Sequence, residues 1–135
     1  MGFTDVGKES VDSFTITKGD FYCYHRITKS TRWNTGTYAG MKLTPLKKEW
    51  SGYNAVNNRA QTIKVDPNDT SYYTLSFTEL SDGTYKIYFQ SIYKDNIDFD
   101  GIVLLFKTII LFSSISGVIN LYSIEKYYKK FHSEK

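Results

Sequence analysis

Two stretches bring reactive side-chain types close enough in sequence to do chemistry. Cys23 and His25 stand two residues apart, so an extended chain places both on one face, where an imidazole could activate a thiolate nucleophile. No third group stands nearby in sequence to orient that imidazole, and a buried cysteine ordinarily packs as a small hydrophobe, so a structural role is expected. The second stretch, Asn96-Ile97-Asp98-Phe99-Asp100-Gly101, opens like a calcium loop, with oxygen ligands at alternate positions and a glycine at the bend. Its closing position fails: Lys107 stands where a bidentate Glu is required, and an apolar run replaces the exiting helix. His25 and His132 are the only histidines and lie far apart, which argues against a metal site. There is no glycine-rich phosphate loop and no serine elbow. These residues predict a protein that is not an enzyme and takes no cofactor or metal.

The composition sets the frame for whatever remains. A chain of 135 residues suits one domain, and 41% hydrophobic content is ample for a core. Twelve Tyr and nine Phe beside only two Pro favour strands, because aromatic side chains fit a pleated, half-buried surface. A net charge of +3 is mildly basic. Aromatic rings interleaved with cations can stack bases, but the basic residues are scattered or concentrated in the tail, so core packing is expected and no nucleic-acid partner. Cys23 is the sole cysteine and excludes an internal disulfide. Residues 2–10 lack an apolar h-region, so no cleavable signal is expected, and Val6 stands where a myristoylation motif has Ser or Thr. One sequon, Asn68-Asp69-Thr70, leaves secreted and cytoplasmic locations both open.

The most apolar stretch, Ile102 to Ile124, decides the architecture. Two readings fit it. At about 23 residues it is long enough to cross a ~30 Å hydrocarbon core as one helix, anchored by the aromatic and basic residues 127–132. That reading makes the protein a membrane-tethered β-domain that acts through interactions. Against it, Lys107 and Asn120 interrupt the run, and Ser113, Ser114, Ser116 and Gly117 punctuate it. The favoured reading is a hairpin: strand 102–112, turn 113–117, strand 118–124. If Lys107 faces water, then Ile102, Leu104 and Phe106 face inward.

The rest of the chain reads as strands. Residues 1–18 are polar and aperiodic, a lead-in outside the core. In 20–28, Phe21, Cys23, His25 and Ile27 share one face. A turn at Asn34 to Gly36 precedes a strand with Ala39, Met41 and Leu43 inward, and Pro45 marks a bulge, an edge or that strand's end. Residues 47–61 suggest short strands around a hairpin. Residues 61–65 form a strand, 66–69 a turn, and the next strand places Tyr73, Leu75 and Phe77 inward. Ser81-Asp82-Gly83 is read as a hairpin turn, followed by Tyr85, Ile87 and Phe89 inward. Ile124, Tyr127, Tyr128 and Phe131 at helical spacing predict a C-terminal helix over 125–135.

Gly19-Asp20-Phe21-Tyr22, with Arg26 on the same strand, resembles the Gly-x-Trp-Tyr start of the lipocalin family of calycin barrels. Residues 60–77, 82–101 and 120–131 resemble, in turn, that family's middle strands, late strands, and terminal strand with helix. The family Trp is Phe21 here, and no Arg follows Tyr122. The resemblance implies one antiparallel, up-and-down β-barrel of about eight strands over 19–124 with a C-terminal helix. Gly19, Phe21 and Arg26 would be structural, and the cavity would carry a small hydrophobic or amphipathic, lipid-like ligand. Inward alternation nominates Met41, Tyr73, Phe77, Tyr85, Phe89 and Phe106 as its lining.

Overall fold

A computed structural model describes residues 8–10, 13–17, 19–113 and 117–132, with side chains between 9 and 105. Among the described residues ten strands follow one another: β1 (Lys8–Glu9), β2 (Phe14–Ile16), β3 (Gly19–Ser30), β4 (Ala39–Glu49) and β5 (Gly52–Ala55), then β6 (Gln61–Val65), β7 (Tyr73–Phe77), β8 (Gly83–Ser91), β9 (Ile97–Ser113) and β10 (Gly117–His132). Among the described residues the only helical turns are short 3-10 turns, Thr31–Thr35 and Asn57–Arg59. The first ends on Gly36, whose φ of 74° is the left-handed conformation glycine adopts without cost.

The strands form two antiparallel sheets rather than one closed barrel. In the first, β8 and β4 are central; β1 and β2 line the outer edge of β8, and β6 and β5 line the outer edge of β4. The second runs β10-β9-β3-β7. Pro45 lies inside β4, where pairing passes from β6 (residues 39–43) to β5 (residues 46–49). A residue without an N–H costs nothing at such an interruption.

The up-and-down order expected from sequence is corrected by the connections. The links β2–β3, β3–β4, β6–β7, β7–β8 and β8–β9 all pass between sheets. Ser81-Asp82-Gly83 is therefore a crossover and not a hairpin turn, since β7 pairs with β3 while β8 pairs with β4. It is Glu79 that turns the chain there, with φ 58°. Where β6 and β7 approach, the Gln61 side-chain amide donates to the Ser76 carbonyl, and among the described residues no backbone ladder joins the two strands as a barrel would need.

The core lies between the sheets. On β3, Phe21, Cys23, His25 and Ile27 are fully buried, as are Ala39, Met41 and Leu43 on β4 and Tyr85, Ile87 and Phe89 on β8. Alternation assigned all of these faces from sequence. Phe14 of β2 meets Phe21 of β3 edge-on at 4.8 Å, and Phe89 of β8 meets Phe99 of β9 at 4.7 Å, so aromatic contacts join the sheets. Such pairs contribute about 0.5–1.5 kcal/mol each beyond area burial.

Three further expectations are corrected. Phe14 and Ile16 belong to the core, so the lead-in is not outside it. On β9, Val103 and Leu105 are the buried residues and Ile102 and Leu104 are only partly covered. The phase inferred from Lys107 fails because Lys107 pairs with Gly19 at the very end of the β3–β9 ladder, while Phe21 and Cys23, paired with Leu105 and Val103, set the face. Finally, residues 117–132 form one strand against β9, irregular between Tyr127 and Phe131, in place of a helix from 125. A helix from 125 would have left residues 100–105 of β9 without a partner on that edge, and Tyr, Phe and Ile suit a strand as well.

Candidate functional site

Of the residues nominated as a ligand lining, Met41, Phe77, Tyr85 and Phe89 are buried within the core, and Tyr73 packs at its margin. They contact protein. Phe77 lies flat on Phe21, Phe89 tilts onto Phe99, and the Tyr85 hydroxyl donates to the Ser81 carbonyl at 2.6 Å. The Tyr73 hydroxyl donates to Asp69 at 2.5 Å, which holds the Asp69 carboxyl below its ordinary range and raises the Tyr73 phenol. Phe106 pairs with Asp20 by backbone register, and its side chain lies outside the described residues.

The residues singled out for chemistry are engaged within the fold. Burial pushes the Cys23 thiol far up, away from the thiolate a nucleophile requires. His25 is drawn down by burial, partly offset by the hydrogen bond from its Nδ1 to the Cys23 carbonyl at 3.2 Å. Since a carbonyl only accepts, Nδ1 carries the proton, and Nε2 is an acceptor without a protein partner. Asp98 and Asp100 stand in β9, where the Asp100 carboxylate takes the Arg26 guanidinium at 3.0 and 3.4 Å. Arg26 also lies over the Tyr72 ring, which stacks on Tyr24 at 4.5 Å. It therefore serves the outer face of its sheet. Gly19 opens β3 opposite Lys107.

The outer face of the other sheet gathers cations that look scattered in sequence. Arg32 and Lys64 lie over Tyr93 at 4.2 and 5.9 Å, and Lys86 lies over Tyr53 at 4.7 Å while reaching Glu9 at 3.6 Å. Tyr93 and Ile92 fold across Gly40, where a Cβ would meet the Ile92 side chain at 2.5 Å.

Two features occupy one end of the sandwich. The first is the β9–β10 hairpin. The β3–β9 ladder stops at Gly19 and Lys107, yet β9 continues to Ser113 with β10 as its only partner among the described residues. Backbone register sets Ile109 opposite Leu121, Ile110 opposite Asn120, Leu111 opposite Ile119 and Phe112 opposite Val118. Between Thr108 and Ile124 there is no Asp, Glu, Lys or Arg. At ~3.3 Å per residue, residues 108–113 carry this two-stranded extension roughly 20 Å past Gly19. Among the described residues no helix is long and apolar enough to cross a membrane, and residues 102–113 and 117–124 are strand.

The second is the tip of the β4–β5 hairpin. Glu49 pairs with Gly52, leaving Trp50 and Ser51 as a two-residue loop. Gly52 has φ 122°, a conformation that a side chain would strain. Trp50 is 99% exposed, whereas Trp33 is buried. Sequence reasoning passed over Trp50; its signal was a large aromatic set in a polar turn, Lys47-Lys48-Glu49-Trp50-Ser51-Gly52.

Comparison of the chain with protein-family models, curated proteins and solved structures finds no match in any of the three.

Proposed function

We propose that the protein is a non-enzymatic β-sandwich that binds amphipathic lipid through the β9–β10 extension, and not chiefly by enclosing one molecule. The observation that carries this reading is the uncharged run 108–124, laid out as a ladder beyond the last β3 pairing. Ile109, Ile110, Leu111, Phe112, Ile119 and Leu121 are apolar by type, and six such residues half buried in lipid would contribute on the order of 5 kcal/mol. A two-stranded ladder leaves unpaired backbone groups on both outer edges, so it cannot cross hydrocarbon alone. The boundary between headgroups and acyl chains, where water still reaches those edges, is the compatible depth.

Flotation with phosphatidylcholine vesicles tests the reading. The parent should float with the vesicles, and a variant in which residues 108–122 are replaced by Asn-Gly should not. A parent that stays at the bottom of the gradient overturns it. No nucleic-acid partner is proposed, because the tyrosines Tyr53 and Tyr93 on the cationic face already carry the protein's own cations.

A second reading, one small amphipathic molecule between the sheets, has a specific observation in its favour. His25 Nε2 is a buried acceptor without a protein partner, and a ligand hydroxyl or amide would satisfy it. Native mass spectrometry of the purified protein would detect such a ligand. Replacing His25 by Leu should abolish its retention, and a parent with no bound or displaceable species excludes this second reading.

A further inference from the structure

We infer that Trp50 is a second lipid contact, seated at the interface of the same bilayer that the β9–β10 extension enters. The inference rests on the lipid reading of that extension and adds a residue from a different sheet.

Register places the two features together. Ile16 of β2 pairs with Gly83 of β8, and only residues 17 and 18 separate Ile16 from Gly19, where the β3–β9 ladder ends against Lys107. A link of three Cα steps spans at most about 11 Å, so those two ladder ends are neighbours. On β4, Lys47 pairs with Tyr85, so Glu49 stands level with Gly83, and Trp50 projects one residue beyond. The Lys47 ammonium donates to the Ser81 hydroxyl at 2.6 Å, tying the β4 end to the β7–β8 crossover at this same end. Trp50 is thus at the same end of the sandwich from which the extension leaves, on a loop held short by the Glu49–Gly52 pair.

The chemistry of that position suits an interface. An indole has a large apolar ring and one N–H donor, and it settles where one side is apolar and the other wet. An indole left 99% exposed in a folded domain forgoes its whole burial energy, and lipid would recover it. Among the described residues the charges at this end balance: Lys47, Lys48 and Lys107 against Asp20, Glu49 and Asp82. Binding should therefore need little anionic lipid.

The test uses the full chain with phosphatidylcholine vesicles, with and without phosphatidylserine. In a Trp33→Phe background, emission reports Trp50 alone; it should shift to the blue and lose acrylamide quenching when vesicles are added. Independently of that background, Trp50→Ala should weaken vesicle partitioning at least about tenfold, since a Trp covers ~150–250 Å², with phosphatidylserine changing the result little. If vesicles bind in an extension-dependent way while Trp50 emission stays unchanged and Trp50→Ala partitions like the parent, this inference falls and the lipid reading stands. If the parent fails to bind at all, both fall. A blue shift retained when residues 108–122 are removed supports Trp50 as a contact and overturns the role of the extension.

Discussion

Phe21 and Phe77 are direct partners across the β3–β7 pair, and their rings lie parallel, 4.7 Å between centroids with planes 11° apart. Phe21 is fully buried and also meets Phe14 edge-on, so one ring joins three strands of both sheets. Phe21→Ala should cost about 3–5 kcal/mol, a large share of the ~5–15 kcal/mol expected for a domain of this kind. Phe21→Trp should cost no more than the ~1–3 kcal/mol of overpacking. Urea unfolding followed by circular dichroism measures both. Equal stability of Phe21→Ala and the parent would contradict this packing.

What was legible in the sequence was the face that β3, β4 and β8 turn inward, because alternation is a property of one strand alone. Phe21 to Ile27, Ala39 to Leu43 and Tyr85 to Phe89 could be assigned that way. Which strand sits beside which is a property of pairs, and nothing in Ser81-Asp82-Gly83 distinguishes a hairpin turn from a crossover. The β9 phase failed for a related reason. Lys107 was read as though it faced water from within a sheet, but it stands where the sandwich stops. In the tail, Ile124, Tyr127, Tyr128 and Phe131 satisfy a helical period, and only the open edge of β9 reveals that a strand is required. Trp50 was missed because an isolated aromatic carries no periodicity at all.

His25 makes stability depend on pH. Its native pKa lies below the ordinary 6.5, so the unfolded chain binds a proton at a pH where the native imidazole remains neutral. The stabilisation is complete above about pH 6.5 and is lost as pH falls from there through the depressed native pKa. Asp69, held low by Tyr73 and Ser71, titrates below its ordinary 3.8 and leaves this window clear. The urea midpoint should drop between about pH 8 and about pH 5, and His25→Leu should flatten that drop. An unchanged slope in His25→Leu would assign the acid sensitivity elsewhere.

Cys23 should be silent towards thiol reagents while the protein is folded. It is fully buried and its thiol is pushed up by burial, so both access and thiolate fraction are lost. Labelling by iodoacetamide should then follow opening of the sandwich, rising steeply across the urea transition. Rapid stoichiometric labelling in native buffer would refute this placement.

Two deletions separate the part of β9 that builds the domain from the part that leaves it. A chain ending at Asp100 loses Val103 and Leu105, both buried, together with the pairing of residues 101–107 with Gly19 to His25. It bares one edge of β3 and also removes β10, so it should not fold; circular dichroism should show no cooperative transition. Replacing residues 108–122 by Asn-Gly is different. Lys107 and Ser123 are register partners, a two-residue Asn-Gly turn suits such a pair, and every β3–β9 pairing is kept. This variant should unfold cooperatively within a few degrees of the parent's Tm, roughly the shift that a change below 1 kcal/mol produces. A folded 1–100 fragment would show that β9 is dispensable to the core. An unfolded 108–122 replacement would show instead that the extension supports the sandwich and is not free to bind lipid.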